Sequence, residues 1–375
     1  MVKLSQVISS NQSLQSLPPG LVSVFVGASH GFERATIRSF AKYENAPKIY
    51  IIDSWVHQDK AINSFVEELE KINPAGSYET LVSKIRLLSE VDRVCDEIEK
   101  VEGHVDLLVM SCGFMRFPPG RDRSDYEESH PTDEEAHGSI PFDVSLQFYT
   151  RQRFITNLLP LLNKSHCPRI ISLLVPGNDS PKYFETLESS KGYLDTGSIN
   201  HATSLLLSEY AKEYPTITFI NAFPGILNSD TWDNMITPVH GVSWYPAVVL
   251  KWTIPPLFKY FMCTPKEEVA ERMVFLATSV RYPPGKEERD EGKIAGWAEC
   301  PPDWQLAVPR AMTMRYGSGN GVYRMNEQGE AYEESEILKR YLEQDEGKWL
   351  LEHTEEVFGR MLNAERATNE DGENS

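Results

Sequence analysis

Cysteine is scarce. Five are scattered along 375 residues with no CxxC pair, and the odd count fits reduced thiols better than a disulfide framework. Positive charge is also short: 37 Lys and Arg stand against 55 Asp and Glu, a formal net charge of −18. Nucleic acid or an anionic membrane as main partner would be repelled. Long apolar runs are missing as well. The first 20 residues have no continuous apolar core, so a signal peptide is not expected. The most apolar later region, 241–262, is interrupted by Pro246, Lys251, Pro255, Pro256 and Lys259 and makes no simple membrane span. These absences describe a cytoplasmic chain. P-loop, serine nucleophile elbow and zinc-ligand pair are absent too. His130, Asp133, Glu134 and His137 lie in a charged segment without diagnostic metal spacing, so a solvated loop is expected there and no metal.

What is present is ordinary globular composition, 41% hydrophobic and 25% charged. The chain is organised around LVSVFVGASHGFE, Leu21 to Glu33: a short buried strand, a glycine turn, then a helix. Gly27 and Gly31 lack a Cβ, so a diphosphate could approach the backbone, and the helix start behind them presents free N–H groups. A tight turn with no ligand uses glycine too, and both readings stay open on this stretch alone. Further strands are expected at Lys48–Ile52, ending on Asp53, then at Thr80–Val82, Val105–Met110, Arg169–Leu174, Thr216–Phe223 and Gly321–Asn326. Helices alternate with them at Ala35–Lys42, Asp59–Ile72, Glu90–Lys100, Phe142–Leu162 and Thr196–Glu213. This order predicts an α/β fold, a doubly wound parallel sheet of Rossmann type with a C-terminal helical extension. One domain is expected over 1–330, with 114–140 as a charged surface insertion, then a helix over about 334–362 and a disordered tail from Thr368. Thr264-Pro265-Lys266-Glu267 has the pattern of a helix-opening capping box.

The alternating strands, the glycine turn and Ala222-Phe223-Pro224-Gly225 after the sixth strand together resemble the short-chain dehydrogenase/reductase family. NLLPLL at 157–162, RYPPG at 281–285, GNGVYRMNEQGE at 319–330 and EHTEEVF at 352–358 resemble a fungal branch associated with secondary metabolism. The resemblance implies a nicotinamide dinucleotide over Gly27, Ser29, His30, Gly31, Asp53, Gly113, Pro224 and Gly225. Asp53 would bond the adenosine ribose hydroxyls and disfavour a 2′-phosphate. His30 stands where NADP-preferring members often carry a basic residue. NAD or NADP is therefore expected, with a slight lean to NAD. Tyr193 matches the catalytic tyrosine.

Departures from the family pattern fall on functional positions. Its third loop glycine is Glu33 here, its lysine four residues after the tyrosine is Gly197, and its serine at the end of the fifth strand is apolar, with Ser172 nearby. Glu33 is expected to face solvent and weaken cofactor binding; the opposing reading is a pocket closed to dinucleotides. Without the lysine, Tyr193 remains a proton donor but a poor base, so carbonyl reduction should survive better than alcohol oxidation. His201, eight residues beyond Tyr193, lies ~12 Å along the helix axis and is expected in the core. The resemblance also places a substrate lid at 226–263, where Trp232, Met235, Trp244, Tyr245, Trp252, Phe258 and Phe261 suit a bulky apolar small molecule. The expected activity is oxidation or reduction of a carbonyl or hydroxyl on such a molecule. The alternatives are a non-redox cyclase or isomerase on the same fold, and a nucleotide sensor or partner-binding protein. Homo-oligomers are common in the family, although the long C-terminal helix could cover the usual contact surface.

Overall fold

The structure, a computed structural model, describes residues 2–27, 31–53, 59–113, 140, 144–177, 179–180, 187, 196–225, 263–285, 321–333 and 335–373. Ser29, His30, Tyr193, nearly all of the 114–140 insertion and the 226–262 aromatics lie outside the described residues.

Seven strands form one parallel sheet: β1 (Val22–Val26), β2 (Lys48–Asp53), β3 (Ser77–Val82), β4 (Leu107–Met110), β5 (Arg169–Leu173), β6 (Thr218–Ala222) and β7 (Val322–Met325). Their order is β3-β2-β1-β4-β5-β6-β7, so the chain first winds outward one way from β1 and then the other. The central strands are buried along their whole length and mostly apolar because both faces are covered. Alternation within β1 shows this directly: Val22, Val24 and Val26 enter one core and Phe25 the other. The pairs Val26↔Ile52 and Val26↔Met110 bring the ends of β2, β1 and β4 level.

One face carries α1 (Leu4–Gln12), α2 (Phe32–Tyr43), α3 (Asp59–Ile72) and, later in the chain, α7 (Lys266–Thr278). The other carries α4 (Leu88–Val101), a π-helical turn (Ser145–Tyr149) continuing into α5 (Thr150–Leu162), and α6 (Thr196–Glu213). On that face lies the C-terminal extension, α8 (Glu336–Glu343) and α9 (Glu346–Glu373), with α9 against α6 and α4. The doubly wound architecture expected from the sequence is the one observed. Among the described residues no helix is long and apolar enough to cross a membrane.

Three local expectations fail, and one helix goes unforeseen. Helix α1 is unannounced by periodicity, because it docks with few apolar side chains and a polar clamp, Asn11 Nδ2 donating to the Glu271 carbonyl and carboxylate at 2.9 and 2.7 Å. The capping box at Thr264 does not form: Pro265 is the extended N-cap of α7 and no side chain caps it. The C-terminal helix is broken in two, since Asp345 takes a left-handed conformation at φ 53. Beyond the break, α9 continues past Thr368 to Glu373, where the sequence predicts disorder.

Two carboxylates of this frame carry predictions. Glu365 of α9 accepts hydrogen bonds from the Leu88 and Ser89 backbone N–H groups at 2.7 and 2.9 Å, capping α4, which has no side-chain cap of its own. Glu365→Ala should cost about 1.5–3 kcal/mol in denaturant unfolding, the range for bonds to a charged group. Glu44, at the end of α2, is buried with Oε1 unpaired among the described residues. Burial, then the nearby Asp106, pushes its carboxyl up to about 8. A carboxyl raised in the folded state favours folding at acid pH, and that advantage is lost as pH climbs from its ordinary range toward 8. Thermal melts at pH 5 and pH 8 should therefore show Glu44→Gln gaining on the unaltered protein at pH 8 relative to pH 5.

Candidate active site

The carboxyl edge of the sheet is the candidate cleft, because there the windings diverge from β1 and β4. A Cβ on Gly27 would lie 2.6 Å from the Cys112 backbone nitrogen, so only glycine lets β1 close onto the chain leaving β4. Gly113 is likewise held, a Cβ there falling 2.7 Å from Gln147 Cγ. Packing accounts for both. Gly31 differs: at φ 65 it precedes α2, and among the described residues a Cβ on it would meet only the Glu33 carboxyl, at 3.6 Å. Of the sequence-expected cofactor residues, Gly27, Gly31, Asp53 and Gly113 gather at the ends of β1, β2 and β4, while Pro224 and Gly225 follow β6. Ser29 and His30 fall outside the described residues.

Glu33 does not face solvent as expected. It sits in the first turn of α2, half-buried, and turns back toward its own backbone N–H and the Ser111 hydroxyl. A carboxylate beside free N–H groups at a helix start is satisfied locally, which explains the inward rotamer. Desolvation, with Asp53 adding repulsion, pushes its carboxyl up to about 8 against the pull of those hydrogen bonds. At neutral pH the group is mostly an uncharged acid. Asp53 is buried at the end of β2. Arg34 of α2 feels it as an attractive charge, although burial dominates and lowers the guanidinium overall. Arg34 and Arg38 both lie over the Phe65 ring, at 5.0 and 5.1 Å. A dinucleotide is the group this edge would hold. Gly31, the helix start behind it and Asp53 fit it; the Glu33 carboxyl fits only when neutral.

Further along the edge, sequence reasoning missed Arg151. It is fully buried at the start of α5. Its Nη1 donates to Ser172 Oγ and to the Leu173 carbonyl, both at 2.8 Å, and its Nε and Nη2 donate to the Cys112 carbonyl at 3.2 and 2.6 Å. These acceptors are all neutral. A cation thus ties the ends of β4 and β5 together beneath the cleft, and burial lowers its pKa. Nothing in the local sequence separates Arg151 from the exposed arginines. Ser172, the weak candidate for the missing serine, is buried and engaged by this guanidinium. Cys112 is no nucleophile in waiting, since burial raises its thiol.

The helix that follows Tyr193 is α6. Gly197, at the position of the family lysine, is buried in its first turn. His201 is a core histidine: fully buried, edge-on to Tyr341 at 5.0 Å, and pushed down by burial to about 4, hence neutral. Its neighbour Asp179, on the loop after β5, pairs with Arg324 of β7 at 2.8 Å. Asp179 also accepts from Ser335 Oγ, the N-cap of α8, at 2.6 Å. That polar knot pins the loop leading toward Tyr193, β7 and the C-terminal extension to one another.

Against known proteins, no family model matches the chain. Curated relatives nevertheless align from end to end. The NmrA-like family domain-containing oxidoreductase notO of Aspergillus sp. is 27% identical over 378 residues, covering 98% of each chain. Oxidoreductase AN1596 of Emericella nidulans is 27% identical over 365 residues, covering 96% of this chain and 99% of that one. Both relatives are fungal oxidoreductases. The short-chain dehydrogenase/reductase SAT2 of Stachybotrys chartarum is 23% identical over 367 residues, covering 91% of this chain and 93% of its own. The resemblance to short-chain dehydrogenase/reductases thus holds in sheet order and in sequence relatives alike.

Ser172 offers a direct check. With its hydroxyl buried and committed to Arg151, Ser172→Ala should cost on the order of 1 kcal/mol in unfolding. Turnover, once a substrate is in hand, should stay within about twofold. A loss near the ~100-fold of a missing acid–base group would instead make the hydroxyl catalytic.

Proposed function

We propose that this chain is a nicotinamide-dependent oxidoreductase of the short-chain dehydrogenase/reductase type. It acts on a carbonyl or hydroxyl of a hydrophobic small molecule, in fungal secondary metabolism. The observation that carries this reading is the carboxyl edge, where Gly31 at a helix start and a buried acid at the end of β2 stand together. Full-length relatives bearing oxidoreductase names support it. The cytosol, with its reduced thiols and free dinucleotide, is the proposed compartment.

In this reading the adenosine end lies toward Asp53, which favours NAD, and the nicotinamide end lies toward Gly113 and the Pro224-Gly225 turn. A bound nicotinamide supplies the hydride in reduction. The chain supplies the proton: Tyr193 donates its phenolic hydrogen to the oxygen that becomes an alkoxide. With Gly197 in the lysine position, no neighbouring ammonium lowers the phenol from its reference value of ~10, and the tyrosine stays protonated at neutral pH. Reduction is therefore the favoured direction. Arg151 keeps the ends of β4 and β5 in register below the reacting centre.

A second reading, a cyclase or isomerase using the same cavity without redox, is favoured by one observation: a buried glycine stands where the family places its lysine. Nicotinamide fluorescence on titrating NADH and NADPH separates the two. Saturable binding, tighter for NADH, with consumption of NADH by a hydrophobic ketone, is expected. Tyr193→Phe should then lower turnover by ~100-fold or more while leaving NADH affinity unchanged. Failure of both nucleotides to bind would leave the non-redox reading standing.

A further inference from the structure

The inward carboxyl of Glu33 has a consequence for how the cleft takes its cofactor, resting on the oxidoreductase reading above. Three features meet at this side chain. It overhangs Gly31, where a Cβ would meet the Glu33 carboxyl itself at 3.6 Å. It reaches the Ser111 hydroxyl at the end of β4, which itself donates to the Val26 and Gly27 carbonyls at 3.3 and 3.1 Å. It faces the buried acid Asp53 across the end of β2. A diphosphate held at the start of α2 would come against this carboxyl. Ionised, the group would add a negative charge facing two others in a desolvated cleft; neutral, it has an O–H to donate to a phosphate oxygen.

We infer that Glu33 holds the cofactor's diphosphate as a neutral carboxyl, so that dinucleotide binding requires a proton on this side chain. The charges around it come from every packed element. Asp53 of β2 opposes ionisation, whereas Ser111, next after β4, and the backbone N–H of Glu33 favour it. Arg34 sits next along α2 with its attraction directed to Asp53, and Arg38 beyond it is paired with Glu68 of α3 at 2.6 Å. No cation among the described residues pairs with Glu33 itself. With burial holding the carboxyl near 8 before cofactor arrives, the proton is already in place at pH 7. Above pH 8 it has to be drawn from solvent as the dinucleotide binds.

The test is the dissociation constant of NADH, and separately of NADPH, from pH 6 to pH 9.5 by nicotinamide fluorescence, for the unaltered protein and Glu33→Gln. The unaltered protein should bind with constant affinity up to about pH 7 and lose about tenfold by pH 9, as a single linked proton requires. Glu33→Gln should bind with an affinity that varies less than about twofold over the range. Binding that stays flat in the unaltered protein overturns the inference and spares the oxidoreductase reading; absence of binding at every pH overturns both. Should Glu33→Gln fail to fold, calorimetry of the unaltered protein at pH 8.5 in two buffers of different ionisation heat decides. Uptake of most of one proton per dinucleotide supports the inference, and uptake of none overturns it.

Discussion

The close approach of Gly27 to the Cys112 backbone sets the geometry on which the rest depends. A single Cβ would force β1 and the chain leaving β4 apart, since it would stand 2.6 Å from a backbone nitrogen. With the two strand ends closed together, Ser111 comes within reach of α2, and the first turn of that helix is aimed at the sheet edge. Glu33 can then satisfy its carboxyl inside the cleft rather than in water. The shape of the cleft and the acidic group inside it both follow from that contact.

Buried guanidinium groups extend the same logic along the sheet. Arg151 ties β4 to β5 through their carbonyls. Arg169 of β5 donates to the Leu276, Ser279 and Tyr282 carbonyls at the end of α7. Arg324 of β7 pairs with Asp179 on the loop after β5. A guanidinium is suited to this because its fork bonds several fixed acceptors at once while tolerating burial better than an ammonium. Carbonyls at strand and helix ends, which would otherwise be stranded, are satisfied. Three of the interior polar joints of this net-acidic chain are thus guanidinium groups.

The sheet was legible because strands covered on both faces are unbroken apolar runs, and KIYII and LLVM could be little else. Helix α3 and helix α6 occupy the predicted residues, Asp59–Ile72 and Thr196–Glu213. What escaped the sequence has a common cause: a polar side chain turned inward. Asn11 docks α1, Glu365 caps α4 from the far end of the chain, and Arg151 sits under the cleft, each looking like a surface residue in one dimension. Glu33 was misplaced for the same reason, since a first-turn glutamate is ordinarily solvated. Thr264 shows the converse, a pattern that fits a cap while its hydroxyl lies beside Gly225 instead. The glycines of the site were legible by position, but only three-dimensional packing distinguishes Gly27 and Gly113, where a Cβ would clash at 2.6 and 2.7 Å, from Gly31, where it would rest on the Glu33 carboxyl at 3.6 Å.

A crystal structure of the protein grown with saturating NADH at pH 7 tests the central claim most directly. The account predicts diphosphate density over the Gly27–Gly31 turn with the Glu33 carboxyl in hydrogen-bond contact. A turn left empty, with that carboxyl still seated against Ser111, would contradict it.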